Sequence, residues 1–258
     1  MKLVIFTSNG IRHKFVANKL AQNVDDTLVV CESKPNDATE KDQLTHIEDH
    51  FSLRHLTEKK MFTGNDFFNE KILPLLYKEV NSKYVFDRVK EFNPDLMIVF
   101  GSSIIKEPLL SLKPNKFINL HLGLSPYYRG SGTNFWPFVN KELEYVGSTI
   151  LHLDPGIDTG DIVAHVKPTF EIDDDVHTIG CKVIEKSVEA LIQIIKIVNT
   201  GKNIPRTKQW QVQNSKVFKN SDFTEEILKK YKQNLQNGIV KNFMTSSKPN
   251  LKLVPLKQ

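Results

Sequence analysis

A short apolar run directly before a polar turn constrains the fold of this chain most. Residues 3–6 read L-V-I-F, and a wholly apolar run is typical of a strand buried on both faces of a parallel sheet. Residues 7–10 (T-S-N-G) predict a turn, residues 11–20 carry apolar side chains at helical spacing, and residues 27–31 form a second apolar run. Strand, helix and strand in close succession predict a βαβ unit with a right-handed crossover.

Apolar runs and helical patterns continue to alternate along the chain. Further strands are predicted at residues 95–100, 117–121, 148–153 and 162–166, and helices at residues 70–91 and from the D-D-D cap at 173–175 to Gly201. Residues 36–69 predict a mixture of helix and loop. The strands at 148–153 and 162–166 have no helix between them, so we expect that pair to be antiparallel. The pattern predicts an α/β fold whose twisted, mostly parallel sheet is flanked by helices.

The character of the sequence changes after residue 201. We therefore predict one domain over residues 1–201 and a C-terminal extension over residues 202–258, which is too short for a second domain of usual size. Within the extension, residues 209–213 and 215–218 predict a hairpin across Asn214. A short helix and a loosely held Lys-rich tail should follow.

Composition limits the function classes. The 258 residues, 40% hydrophobic, can build one sizeable core, and 30 acidic residues nearly offset 35 basic ones. The net charge of +5 permits a nucleic-acid partner, but a modest excess on a Lys-rich background more often means solubility, and a phosphorylated or carboxylated small molecule would suit it equally well. Cys31 and Cys181 are far apart, which predicts neither a disulfide framework nor a zinc cluster, and indicates a cytoplasmic location. No apolar stretch approaches the ~18 residues of a membrane span.

The predicted strand at residues 117–121 carries two polar side chains. Asn119 and His121 are two positions apart, so they should point to the same face. An amide can donate to an oxygen that becomes negative, and an imidazole can exchange a proton near neutral pH. The alternative is that both groups are buried and satisfied by the backbone.

The stretch D-P-G-I-D-T-G-D at residues 154–161 lies between two predicted strands. One interpretation is a tight surface loop whose carboxylates are solvated. The other places one carboxylate against the histidine, where it would orient the ring and stabilise its protonated form.

Three segments in this order, N-L-H, S-P-Y-Y-R-G-S-G and G-I-D-T-G-D-I-V, resemble the catalytic domain of the formyltransferases that use 10-formyltetrahydrofolate. That family is marked by Asn-x-His on a strand and an Asp-Thr-Gly loop thirty to forty residues downstream, and here Asp158 follows His121 by 37 positions. The resemblance extends over residues 1–201. Within the family it is nearest to the sugar N-formyltransferases and to the catalytic domain of methionyl-tRNA formyltransferase.

The resemblance implies roles for individual residues. Asn119 would polarise the formyl oxygen, His121 would act as general base or as partner of the tetrahedral intermediate, and Asp158 would set the charge state of the histidine. The donor, 10-formyltetrahydrofolate, would lie against two loops, and the expected cofactor-binding residues are Gly101, Ser102, Ser103, Ile104, Ile105, Gly156 and Ile157. No metal is implied; His46 and His50, four positions apart, are interpreted as a solvated helix face.

The resemblance leaves several acceptors open: an amino sugar on a nucleotide, a glycinamide ribonucleotide, or methionyl-tRNA; a hydrolase relative releases formate. The tRNA enzymes carry a further barrel domain, and here only about fifty residues follow residue 205, so we expect a small-molecule amine, on a nucleotide-linked sugar. Nucleic acid and membrane are not expected partners, and a homodimer is a further implication of the family. A folate- or nucleotide-binding protein without turnover is the alternative from another class.

Residues of two loops are expected to contact the acceptor. The first follows the opening strand, at a predicted helix N-terminus that would accept an anion. The second follows His121, with an Arg near phosphate and a Tyr against a ring. The predicted substrate-binding residues are Ser8, Asn9, Gly10, Arg12, Tyr127, Tyr128 and Arg129. For the second loop the alternative is that the Tyr pair packs the loop and Arg129 binds a backbone carbonyl.

Overall fold

A computed structural model describes residues 1–33, 46–213, 215–247 and 249–256. The start of the segment predicted as mixed helix and loop, residues 36–45, therefore lies outside the described residues. So do Asn214, where the hairpin turn was predicted, and the last two residues of the tail.

A seven-stranded sheet organises the described residues. The described residues form nine strands, of which β6 and β9 make a separate two-stranded sheet. They are β1 (Lys2–Ser8), β2 (Asp26–Ser33), β3 (Lys71–Leu76), β4 (Leu96–Phe100), β5 (Phe117–His121), β6 (Tyr128–Gly130), β7 (Ser148–His152), β8 (Ile162–Val166) and β9 (Lys216–Phe218). The order in the sheet is β3-β2-β1-β4-β5-β7-β8. The first five pair in parallel, whereas β7 runs antiparallel to both neighbours. The predicted mostly parallel sheet and its antiparallel pair are confirmed.

Helices cover both faces of the sheet. They are α1 (Ile11–Ala21), α2 (His46–Met61), α3 (Lys83–Phe92), α4 (Trp136–Asn140), α5 (Val176–Asn199), α6 (Glu225–Gln236) and α7 (Ile239–Thr245). In β1, Leu3 and Ile5 pack with α1 and α5, while Val4 and Phe6 belong to the core on the side of α3. A strand buried on both faces needs apolar residues at every position, which explains the unbroken L-V-I-F run.

The single helix predicted over residues 70–91 is wrong. Residues 71–76 form β3, which pairs in parallel with β2, and α3 begins only at Lys83 after its cap, Ser82. Leu73 and Leu75 are buried and alternate with exposed Ile72, which is the period of a strand with one covered face. Since β3 is an edge strand, it also tolerates Pro74, which lacks a backbone donor.

The predicted acidic cap of the long helix is confirmed. Asp175 is the N-cap of α5, and its Oδ1 accepts hydrogen bonds from the backbone N–H of His177 and of Thr178, both at 2.8 Å. These bonds satisfy donors that the first helical turn leaves unpaired.

The C-terminal extension is built differently from the prediction. β9 pairs in parallel with β6 and not with residues 209–213, so the hairpin is wrong. Gln209 instead donates its side-chain amide to the carbonyl oxygens of Asp158 and Gly160, at 2.8 Å each. The tail is also not loosely held at Val254, which is buried and accepts a backbone hydrogen bond from His165 at 2.7 Å. The boundary at residue 201 stays a prediction.

We expect Asp175→Ala to lower the free energy of unfolding by about 1 kcal/mol, because two N–H groups of α5 lose their acceptor. Asp175→Asn should keep most of that stability, since the amide oxygen still accepts. Urea unfolding followed by circular dichroism measures the change. The exposed Asp173 offers the control Asp173→Ala, and equal losses from both alanine variants would contradict the capping explanation.

Candidate functional site

The structure brings Asn119, His121 and Asp158 together. The Asn119 side-chain amide donates to Asp158 Oδ1 at 3.4 Å, and His121 Nδ1 lies 3.3 Å from Asp158 Oδ2. Asn119 and His121 lie near the carboxyl end of β5, and their side chains reach the same carboxylate, that of Asp158. The His121 and Asp158 side chains are only 7% and 11% exposed, so their interaction is little screened by solvent.

Oxygen acceptors also surround the other side of the His121 ring. Its Nε2 lies 3.2 Å from the Tyr128 carbonyl oxygen and 3.4 Å from Thr133 Oγ1. The Thr133 hydroxyl donates to the Leu122 carbonyl, so its oxygen is free to accept from the ring. A Cβ at Gly123 would lie 2.6 Å from His121 Nε2, which explains the glycine in H-L-G. Because acceptors lie at both nitrogens, a proton on either one has a hydrogen-bond acceptor.

Local backbone geometry delivers Asp158 to this position. The Gly130 N–H donates to Asp158 Oδ2 at 3.1 Å, and Asp158 itself has a left-handed φ of 52°. Gly160 allows the loop to fold back, because a Cβ there would lie 1.8 Å from the His152 carbonyl oxygen. Asp154 stays within the loop, where its carboxylate accepts from the Thr159 hydroxyl at 2.8 Å.

The loop after β4 has a rigid base and exposed apolar groups. Buried Glu32, which the sequence analysis missed, accepts the Ser103 N–H at 2.6 Å. Ser103 Oγ is buried without a hydrogen-bond partner among the described residues. Ile104 is 62% exposed, and Ile157 of the Asp158 loop is 58% exposed.

Other residues of these two loops have structural roles. Ile105 was expected to form a pocket wall, but it is 3% exposed and belongs to the core beneath the sheet, so that expectation is wrong. Gly101 has a φ of 80°, which an L side chain rarely adopts. The Ser102 hydroxyl donates to the Ser103 carbonyl, and the Gly156 N–H donates to Asp154.

The first loop predicted to contact the acceptor is only partly available. Ser8 is 2% exposed, and its hydroxyl lies 3.0 Å from His13 Nδ1, so it serves the loop itself. Gly10 is the N-cap of α1, and Asn9 is half-buried beside it. Arg12 forms an ion pair with Glu58 of α2 and faces a large cavity.

The second predicted loop is placed differently from the expectation. The Tyr128 side chain is 1% exposed and donates to Glu142, so it packs in the core and is not at hand for an acceptor. The Tyr127 hydroxyl donates to the Lys252 carbonyl at 3.1 Å, and Arg129 Nη2 donates to Ser215 Oγ at 3.2 Å. These contacts match the alternative in which the pair of tyrosines packs the loop, while Arg129 binds a side chain of the extension.

A cavity of about 800 Å³ opens beside His121. Its wall comes from α1, α2, α5, residues 130–136 and the extension. The lining side chains that sequence reasoning missed are His50, Phe51, Arg54, Glu58, Phe135, Trp136, His177, Lys219 and Phe223. They lie far apart in sequence and share no local motif.

The interpretation of His50 as part of a solvated face is wrong. His50 is 6% exposed, and its ring centre lies 4.4 Å from that of His177 on α5. Burial lowers the pKa of His50 from 6.5 to about 3, with smaller contributions from His177, Arg54 and Lys232. Burial also lowers the pKa of His177. Both rings are therefore neutral aromatic wall groups near pH 7.

Neither a candidate metal site nor a membrane-spanning helix lies among the residues that the structure describes. In residues 1–33, 46–213, 215–247 and 249–256, no group of three or more His, Cys, Asp and Glu side chains could hold a metal ion. No helix in these ranges has both the length and the apolar character that crossing a membrane requires.

Comparison with known proteins identifies the family. The sequence profile described as Formyl transferase matches residues 1–195, and the chain belongs to that family. The methionyl-tRNA formyltransferase of Caldanaerobacter subterraneus subsp. tengcongensis is 33% identical over 130 residues, which are 50% of this chain and 42% of that relative. The match thus spans less than half of the relative's length.

Solved structures share the fold. An N-formyltransferase from Helicobacter canadensis, in complex with folinic acid and dTDP-3-aminofucose, aligns with a TM-score of 0.59 at 16% identity over 98% of this chain and 85% of that one. A phosphoribosylglycinamide formyltransferase from Anaplasma phagocytophilum aligns with a TM-score of 0.57 at 15% identity over 85% of this chain and 98% of that one.

The buried imidazole of His50 predicts a pH dependence of stability. Between pH 6.5 and about pH 3, the unfolded chain binds a proton at His50 that the folded chain does not. The free energy of unfolding should therefore fall as the pH decreases through this range, by up to about 1.4 kcal/mol per pH unit for one proton. Above pH 6.5 this contribution is constant.

We expect His50→Phe, which keeps an aromatic ring among Phe135 and Phe223, to weaken this dependence. Urea unfolding at about pH 7 and about pH 5 measures it for each variant. The exposed His55 of the same helix provides the control His55→Phe. A wild-type slope shared by both variants would refute the assignment to His50.

Proposed function

We propose that this protein transfers a formyl group from 10-formyltetrahydrofolate to a primary amine, carried by a nucleotide-linked amino sugar. The observation that carries the proposal is the convergence of Asn119, His121 and Asp158 at the edge of a charged, aromatic cavity. The exposed apolar residues Ile104 and Ile157 would contact the donor, and the cavity beside His121 would admit the acceptor. Family membership supports the same reaction.

The donor would lie against the two loops that follow β4 and β7. Exposed Ile104 and Ile157 suit the faces of a pterin, and the unpartnered Ser103 Oγ suits one of its polar edges. These features fit a folate, which supplies the formyl carbon as electrophile. Ile105 has no part in this wall because it lies in the core.

The three polar residues divide the chemistry. The Asn119 amide donates to the formyl oxygen as that oxygen gains negative charge. As a neutral ring, His121 accepts a proton from the attacking amine nitrogen, directly or through water. It then returns this proton to the folate nitrogen, which leaves as tetrahydrofolate when its bond to the formyl carbon breaks. Asp158 keeps the ring oriented and compensates its positive charge, because its carboxylate lies beside Nδ1 in a site that is nearly closed to solvent.

The cavity supports an anionic acceptor that carries an aromatic ring. Among the residues that the structure describes, its lining includes the cations Arg12, Arg54 and Lys219 and one carboxylate, Glu58. Because His50 is neutral, the charged lining has two more positive groups than negative ones. This excess of positive charge would attract the diphosphate of a nucleotide sugar, and its nucleobase would pack against the aromatic side chains of the wall.

Other acceptors define the competing proposals. Similarity to the Caldanaerobacter protein supports methionyl-tRNA as the acceptor, and the fold shared with the Anaplasma protein supports a glycinamide ribonucleotide. The Helicobacter fold relative was solved with a dTDP-linked amino sugar. An acceptor of that kind would suit the charged cavity of this chain. The homodimer and the cytoplasmic location stay predictions.

An acceptor screen tests the proposed substrate class. The purified protein is mixed with 10-formyltetrahydrofolate and, in separate reactions, with nucleotide-linked amino sugars, glycinamide ribonucleotide or methionyl-tRNA. We expect tetrahydrofolate release and a mass gain of one formyl group only with an amino sugar. Formylation of tRNA alone would reject the substrate class, release of formate without an acceptor would indicate a hydrolase, and folate binding without turnover would reject catalysis.

Replacing the oxyanion donor tests the chemistry. We expect Asn119→Ala to lower kcat by about 10²–10³-fold, which is the usual loss when one such donor is removed. His121→Ala should be at least as damaging, because it removes the proton acceptor. Steady-state rates with the acceptor found in the screen measure both. The exposed Asn23, which follows α1 and does not line the cavity, provides the control Asn23→Ala, and full rates in the Asn119 and His121 variants would reject this mechanism.

A further inference from the structure

The backbone of β6 contacts both partners of the histidine–aspartate pair. The Tyr128 carbonyl oxygen lies 3.2 Å from His121 Nε2, and the Gly130 N–H donates to Asp158 Oδ2 at 3.1 Å. These two groups belong to one three-residue strand. A displacement of that strand would therefore change the environment of the imidazole and of the carboxylate together.

The extension holds β6 from the opposite side. Lys216 N–H donates to the Tyr127 carbonyl at 2.9 Å, and Ser131 N–H donates to the Phe218 carbonyl at 2.8 Å. The two strands approach so closely that a Cβ at Gly130 would lie 2.2 Å from the Phe218 oxygen. Since Gly130 also has a φ of 90°, glycine is required for this pairing.

A polar cluster fixes the same strand through its first side chain. We call it the Tyr128 anchor; it consists of Tyr128, Asn140, Glu142 and Lys216. The Tyr128 hydroxyl donates to Glu142 and accepts from the Asn140 amide at 3.0 Å. Lys216 pairs with Glu142, and its ammonium lies 5.2 Å from the centre of the Tyr128 ring.

The charges of the anchor make it resistant to displacement. Burial and the hydrogen bond to Glu142 raise the pKa of Tyr128, so the hydroxyl remains a donor. The carboxylate accepts from both this hydroxyl and the ammonium, and charge-assisted hydrogen bonds are stronger than neutral ones. The ring of Phe218 also stacks on Tyr128, with centres 5.7 Å apart and planes 19° apart.

We propose that the Tyr128 anchor positions β6, so that the Tyr128 carbonyl and the Gly130 amide hold His121 and Asp158 in their reacting arrangement. Tyr128, Glu142 and Lys216 are then positioning residues for the reaction and do not touch substrate. The inference rests on the proposed function insofar as His121 and Asp158 perform formyl transfer. It gives the extension an indirect part in the reaction, because Lys216 acts through the position of β6.

Lys216→Met and Glu142→Gln test this role while keeping the shapes of the side chains. We expect kcat to fall about tenfold in each, because a small displacement of positioned groups is costly. KM for donor and acceptor should stay within about twofold, since no binding contact is removed. The double variant should have a kcat no lower than that of the slower single variant, because both changes break the same interaction. Lys216→Arg should keep most of the wild-type kcat. Lys229→Met, on the exposed face of α6, is the matched control and should keep the wild-type rate.

Hydrogen exchange of the Gly130 amide, followed by NMR, gives a result that does not need turnover. We expect exchange about tenfold faster than wild type in Lys216→Met, with the exchange of the β1 amides unchanged. Faster exchange in a protein without formyl transfer would reject the proposed function and leave the link between anchor and Asp158 intact. Unchanged Gly130 exchange in both single variants, or KM values that rise as much as kcat falls, would overturn the inference.

Discussion

The arrangement of the site depends on the hydrogen bonds of one carboxylate, that of Asp158. Its Oδ1 accepts from the Asn119 amide, while its Oδ2 lies beside the His121 ring and accepts from the Gly130 backbone. The Gln209 side chain, from the extension, binds the Asp158 carbonyl and so fixes the loop from behind. One carboxylate thus orients side chains from β5 and a backbone N–H from β6. The site therefore needs both β5 and the loop that carries Asp158.

The change from parallel to antiparallel pairing at β5 determines where the loop that carries Asp158 begins. Asn119 pairs with Val99 of β4 in parallel and with Leu151 of β7 in antiparallel register. The loop after β7 therefore starts beside the amino end of β5 and must fold back to reach His121. Gly160, which packs against the His152 carbonyl, permits this return. The antiparallel pair is thus part of the site, since its connection carries the carboxylate.

The sequence indicates the local features of this protein better than the long-range ones. Apolar runs identify the strands buried on both faces, and Asp175 identifies the start of α5. Residues 71–76 were mistaken for helix because their apolar spacing fits both periods, and only the pairing with β2 decides between them. The proximity of Asp158 to His121 came from a family resemblance and not from spacing. No local sequence pattern predicts the contact of His50 with His177 or the burial of the Tyr128 side chain in the core.

Most residues that line the cavity lie within the family match, but a few lie beyond its end. The family match ends at residue 195, whereas Lys219 and Phe223, which line the cavity, lie beyond it. The match therefore covers Asn119, His121 and Asp158 but does not extend to these two lining residues. Yet the extension that lines the cavity also pairs with β6 through its strand β9. A change of the extension that admits another acceptor must keep this pairing, because β6 provides backbone contacts to both His121 and Asp158. In the function proposed above, Lys219 can therefore change with the acceptor, whereas β6 is constrained by its contacts to His121 and Asp158.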